Sequence, residues 1–195
     1  MKKLVIKTIL ITVLCVIGVL ALTFFAFFLF APKVLGNAFK SLGDDPAAVY
    51  FYEKQYKKTD SAEDLAVIID MYDFKDDSQK VLSLSQELVG KSDFAEFCEK
   101  KDAGNTGITT SEYYYAKYAV ASYYEGNINS AVAVCKTSVS ISGYTEYNAF
   151  RFLLSRVPLN VIEKTYVKAE LTFLRFSLSA EEQKIVDRDM SILPD

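Results

Sequence analysis

From Thr8 to Pro32 no side chain carries a charge, and beyond Lys33 apolar residues recur at spacings of three and four between short polar turns. The first pattern predicts one long apolar helix. These 25 residues would rise about 37 Å as a helix, enough to cross a hydrocarbon core of about 30 Å. The second half is dense in phenylalanine (Phe24, Phe25, Phe27, Phe28, Phe30), and Pro32-Lys33 marks the exit. A cleaved signal peptide has an apolar stretch of about 7–15 residues ending at a small-x-small site. Ala26 to Ala31 offers no Ala-x-Ala, and Leu14 precedes Cys15 where a lipoprotein signal needs a small residue. An uncleaved single-pass anchor over residues 8–32 is therefore expected. Lys2, Lys3 and Lys7 precede it closely and Lys33 and Lys40 follow. The excess of positive charge predicts a cytoplasmic N-terminus, residues 1–7, at the cell membrane, with the C-terminal body on the far side.

The second pattern predicts helices throughout. Leu65, Ile68, Ile69 and Tyr72 form one stripe, and Val81, Leu84 and Leu88 the next after a turn at Asp76-Asp77. Val161, Tyr166, Leu171 and Leu174 are assigned to a long later helix. Period-two alternation bounded by hairpin turns is absent, so the fold class is all-α. A short helix over Asp93–Lys101, a loop over Asp102–Thr110, a break at Val157-Pro158 and a last helix over Ser179–Ile192 complete the reading. The last opens with Ser179-x-x-Glu182, the pattern of a capping box.

Residues 35–56 read LGNAFKSLGDDPAAVYFYEKQY. Leu35 and Gly36 form a large-small pair, with Phe39 an aromatic, Gly43-Asp44 a turn, then Ala48 and Tyr52. A second, weaker match starts 33 residues on, with Ile69 and Val81 where small residues are wanted. A third carries Tyr115, Tyr118, Ala119, Gly126, Ala131 and Ser138 without a gap. The pattern resembles the tetratricopeptide repeat. The resemblance implies a right-handed stack of antiparallel α-hairpins over residues 33–178, with repeats near 29–61, 62–95 and 112–145 and an irregular pair over 146–178. Residues 179–195 follow as a C-terminal helix and tail. Antiparallel helices approach closely where small side chains meet, so Gly36/Ala48 and Ala119/Ala131 are the expected contact points.

Composition removes several functions. The chain has no histidine, which excludes His-based acid/base chemistry, Ser-His and Cys-His pairs and the commonest metal ligand. With Lys2, Lys3 and Lys7 set aside, 19 Lys and Arg face all 25 Asp and Glu, a balance of −6. That acidity argues against a nucleic-acid partner and against an anionic lipid surface. Cys15, Cys98 and Cys135 fit neither a zinc site nor a redox pair, and Cys98 and Cys135 read as small buried hydrophobes. No phosphate loop, nucleophile elbow or metalloprotease motif occurs. The acidic run Asp70, Asp73, Asp76, Asp77 lacks the Gly and closing Glu of a calcium loop, and reads as a solvated helix end. No enzymatic activity, cofactor or metal is expected.

Tyrosine is the one enrichment left: six of thirteen lie between residues 113 and 124. In tetratricopeptide repeats the first helix of each pair lines a peptide-holding groove. The resemblance places Tyr113, Tyr123 and Tyr124 in it, with Asp70, Asp73 and Phe74 beside them. Lys33 and Asn37 fall on carboxylate-clamp positions of that family, but Val67, Ala116 and Val120 occupy the other three, so clamp activity is not implied. The expected role is a membrane-anchored adaptor or scaffold that binds a protein or peptide. The alternative is a structural subunit of a membrane complex, with no free groove.

Overall fold

The structure, a computed structural model, describes residues 2–72, 77–104 and 107–194. Among the described residues it contains eleven α-helices and no strand. The chain divides into two compact units, Met1–Asp60 and Ser61–Asp195.

The first unit opens with α1 (Lys2–Phe30). Its stretch Ile6–Phe30 has a mean hydropathy of 2.8, none of it buried within the protein. A soluble protein's core helix would be buried; a membrane span or a signal sequence would not. The few polar groups are satisfied locally, the Thr12 and Thr23 hydroxyls donating to the carbonyls of Thr8 and Val19 at 3.0 and 2.8 Å. Proline at 32 has no N–H to continue the ladder, so α1 stops and α2 (Pro32–Ser41) begins with that proline in its first turn. α3 (Asp45–Thr59) follows a tight turn, its N-terminus capped by Asp44, which accepts from Ala47 N–H at 3.1 Å.

α2 and α3 form a hairpin in which the Tyr52 ring lies nearest to Gly36. A Cβ on Gly36 would meet the Tyr52 ring at 3.2 Å, and no Ala48 atom lies as near. Gly36 is small because a tyrosine lies flat across it, and the Tyr52 hydroxyl donates to Asn37 Oδ1 at 2.6 Å. Phe51 stacks on Phe39 at 5.4 Å and takes Phe28 edge-on at 5.9 Å, so aromatic packing joins all three helices.

The second unit runs α4 (Ala62–Met71), α5 (Ser78–Val89), α6 (Phe94–Asp102), α7 (Thr110–Glu125), α8 (Ile128–Ser142), α9 (Ala149–Arg156), α10 (Val161–Arg175) and α11 (Ala180–Ser191). Every one of these except α6 is capped by a side chain of the preceding residue. Three are full capping boxes: Thr109/Glu112, Asn160/Glu163 and the expected Ser179/Glu182. Asp93, at the head of α6, instead accepts the backbone N–H of Ala62 at 2.8 Å, tying α6 to the start of α4.

α7 and α8 pack along their length, closed by the turn at Gly126-Asn127, and Ala119 and Ala131 are fully buried there. α6 is no peripheral insert. Its stripe Phe94, Phe97 and Cys98 is buried between α4 and α7, with Phe94 against Tyr115 and Phe97 against Tyr114 at 6.4 and 6.0 Å. α5 leans on α7 more than on α4. A core cluster runs from Ala116, Val120 and Cys135 through Phe150 and Leu153 to Leu171, Val186 and Leu193, so the last helix completes this core. Val161, expected on the buried stripe of α10, is 68% exposed. Val167, Leu171 and Leu174 face inward instead, at the i, i+4, i+7 positions that share one side.

Candidate binding surfaces

Asp70 at the end of α4 is a hub for one face of α7. Its carboxylate accepts from the hydroxyls of Tyr113 and Tyr114 at 3.2 and 3.0 Å and pairs with Lys117 Nζ at 2.7 Å. Tyr113 and Lys117 share a face as i and i+4, the amine 4.8 Å from the ring centre. The Lys117 side chain is 9% exposed and that of Asp70 37%. Burial, and then the Asp70 charge, push the Tyr114 phenol well above its ordinary range, so it stays a donor. Beside this hub lies a cavity of about 330 Å³, lined by Phe97, Lys101, Ile108 and the Asp70–Tyr113–Tyr114 cluster.

The structure therefore joins two of the expected groove residues, Asp70 and Tyr113, across 43 positions. It also brings in Tyr114 and Lys117, which the repeat reading did not select. Lys117 had a signal of its own: it is the one charge in the run YYYAKYAVASYY. Asp70 does not present a bare acidic wall, because a lysine already neutralises it. Asp73 and Phe74 lie outside the described residues. Tyr123 and Tyr124 form an edge-to-face pair at 5.6 Å, ten residues from Tyr113, or about 15 Å along the helix. Tyr123 is half-buried and donates to Glu163 at 3.1 Å, whereas Tyr124 is exposed. Between the two sites Ala116 and Val120 are buried in the core. The expected tyrosines thus lie at two spots along α7. Of the acidic run, Asp77 caps α5 by accepting from Lys80 N–H at 3.2 Å, and Asp76 is outside the described residues.

A second surface comes from α10. Val161, Ile162, Thr165, Ala169, Phe173 and Phe176 lie on its solvent side, and none is charged. Val161, Ile162, Phe173 and Phe176 are 68, 81, 72 and 77% exposed. Three charges of α10 that flank this face are engaged within the unit. Arg175 grips Asp187 through two bonds of 2.6 and 3.0 Å, Lys136 pairs with Glu170 at 2.9 Å, and Lys168 donates to the Pro194 carbonyl at 3.1 Å.

α11 is held by a polar network with the buried Tyr144–Asp189 bond at its centre. The Tyr144 hydroxyl donates to Asp189 at 2.9 Å, Arg151 Nε pairs with the other Asp189 oxygen at 3.0 Å, and Glu146 bridges Arg151 and Arg188. Glu182 accepts Tyr144 N–H at 2.8 Å. Hydrogen bonds from Arg188 and then Arg151 hold Glu146 below the usual carboxylate range, and the Ser179 hydroxyl and the Tyr144 amide do the same for Glu182. Among the described residues, no group of three or more Cys, Asp or Glu converges as a metal site. No protein-family model matches the chain, and no curated protein shows significant similarity to it.

Proposed function

We propose that the chain is a membrane-anchored, non-enzymatic adaptor whose tetratricopeptide-like, right-handed stack of α-hairpins docks a partner protein. In this reading α1 spans the bilayer with its N-terminus in the cytoplasm, and tethering raises the local concentration of the docking surface for partners in the same membrane.

The observation that carries the reading is the uncharged face of α10. An aromatic residue presents about 150–250 Å², so Phe173 and Phe176 leave on the order of 300 Å² in water. With Val161 and Ile162 the patch reaches roughly 500 Å², at the upper end of what a monomer exposes. The occupant that fits is a protein presenting an apolar helix of similar length, about 22 Å for the fifteen residues of α10. A second copy fits less well. After Asp60 the chain carries 14 Lys and Arg against 21 Asp and Glu, and two such acidic bodies repel.

A photoreactive phenylalanine analogue at position 173 or 176, in the full chain in its native membranes, tests this. The expected product is an adduct with one other protein, and none from position 129. An adduct with lipid or with a second copy, or no adduct, overturns the reading. Probes at Tyr113 and Tyr124 report on the two aromatic spots in the same way. The apolar character of the face also favours the structural-subunit reading, since permanent interfaces are the more hydrophobic ones. A stoichiometric partner that survives purification in mild detergent would establish that alternative. A reporter fused after Asp195 should be active only outside the cytoplasm; activity only inside reverses the orientation.

A further inference from the structure

The net charge of −3 conceals an uneven distribution. Up to Asp60 the chain holds eight lysines against four acidic residues, and the acidic excess lies wholly beyond it. Five of those lysines follow α1, and the hairpin brings part of α3 back beside the end of that helix. Lys54 Nζ lies 3.0 Å above the centre of the Phe28 ring, and Lys58 Nζ donates to the carbonyl of Leu29. Tyr50, 52% exposed, stacks on Phe28 at 6.5 Å. Lys57 is exposed and makes no side-chain hydrogen bond or ion pair among the described residues.

The Leu29 carbonyl belongs to the last turn of an apolar helix, where the acyl region gives way to headgroups if α1 crosses a bilayer. Lysines 54 and 58 are one helical turn apart, with 57 beside them, and the Phe28 ring lies under Lys54. This is the arrangement that amphipathic side chains adopt at a membrane surface, with stems on apolar groups and amines at the phosphates. The two neighbouring amines also repel: desolvation and then the Lys58 charge hold the Lys54 ammonium below its ordinary range. An anion placed between them relieves that repulsion.

We propose that Lys54, Lys57 and Lys58 form a site for the phosphate of anionic phospholipids around the exit of α1. The site rests on the reading of α1 as a membrane span. An average over all residues after the span missed it, because the lysines are gathered by the fold and diluted in the count.

The test uses the full chain, delipidated in an uncharged detergent and titrated with short-chain phosphatidylglycerol, phosphatidylcholine or inorganic phosphate, with bound ligand counted by native mass spectrometry. Each lysine near an anionic surface strengthens binding about fivefold. The wild type should prefer phosphatidylglycerol to phosphatidylcholine, Lys57→Gln should lose about fivefold, and the triple change to Gln about 100-fold. The triple change to Arg should retain the preference, which separates charge from folding, and Lys184→Gln should change nothing. A triple Gln variant that keeps the preference, or an Arg variant that loses it, overturns the proposal. If inorganic phosphate binds as tightly as the lipid, the lipid assignment is wrong. Alkaline extraction of membranes separates the two premises: a chain released into the supernatant refutes the span itself, whatever the lysines bind.

Discussion

Replacing Ala131 by Leu probes the packing of α8 against α7. Ala131 is fully buried, as are Ala116 and Ala119 in the same cluster. Leucine adds three carbons. In open apolar space they would stabilise the fold, at about 0.8 kcal/mol per buried methylene, by roughly 2 kcal/mol in all. Where two helices already touch, the same carbons force side chains off their rotamers or the helices apart, which costs about 1–3 kcal/mol. The sign of the change therefore reports whether the approach is real. Asn129, two positions earlier on α8, is exposed, and leucine there should alter stability by no more than about 0.5 kcal/mol. Thermal unfolding of the full chain in mild detergent, followed by helical circular dichroism, is the assay. A domain of this size shifts its Tm by roughly 2–6 °C per kcal/mol, so Ala131→Leu should melt several degrees lower and Asn129→Leu within about 2 °C of the wild type. A neutral or stabilising Ala131→Leu, or a larger loss at Asn129, would refute the packing of α7 on α8.

Three further outcomes follow from other parts of the second unit. Gly143 has φ +77°, and a Cβ there would lie 2.9 Å from Glu182 Oε1, so Gly143→Ala should lower the Tm through backbone strain and a displaced α11; an unchanged Tm would contradict this. The depressed Glu146 and Glu182 carboxyls contribute stability that is present above their unfolded values, about 4.3, and lost as pH falls through the lower folded values. Hydrogen exchange of residues 180–191 should accelerate in that window ahead of α7 and α8, and simultaneous opening of all three would refute a local event. Burial, and secondarily Asp102, raises the Cys98 thiol to about 12, and burial also raises that of Cys135. In a Cys15→Ser background neither should react with a thiol reagent at pH 8 until the chain is denatured, and rapid reaction of the native protein would show that the site opens.

Local signals were legible in the sequence, and pairings between distant segments were not. Ser179-x-x-Glu182 announced the start of α11, and the same reasoning would have found Thr109-x-x-Glu112 and Asn160-x-x-Glu163. Gly36 was recognised as a close-approach residue, but periodicity cannot say what approaches it most nearly, which is the Tyr52 ring. α10 shows the limit most clearly. It is apolar on two sides, with Val167, Leu171 and Leu174 inward and Ile162, Phe173 and Phe176 outward, and spacing alone cannot choose between the faces. The Asp70 hub was half found for a related reason. The repeat pattern placed Tyr113 near Asp70, whereas Tyr114 and Lys117 join it only through tertiary contacts 44 and 47 residues long.

If α1 spans the bilayer as proposed, the break at Ala31-Pro32, with Lys58 holding the Leu29 carbonyl, bears on how that span would answer to bilayer thickness. A span that continues into a free linker can slide along its own axis until its apolar length matches the membrane. Here the exit end is joined to a folded hairpin, so sliding would pull aromatic rings and lysines through the headgroup layer. Tilting then becomes the available response to mismatch, and thicker membranes should require less of it. Solid-state NMR of backbone-labelled α1 in bilayers of increasing acyl length should give a tilt that falls steadily with thickness. Substituting Lys58 by Gln should loosen that relation by freeing the end of the helix. A tilt indifferent to thickness in the wild type would mean that the helix slides and that the hairpin does not hold it.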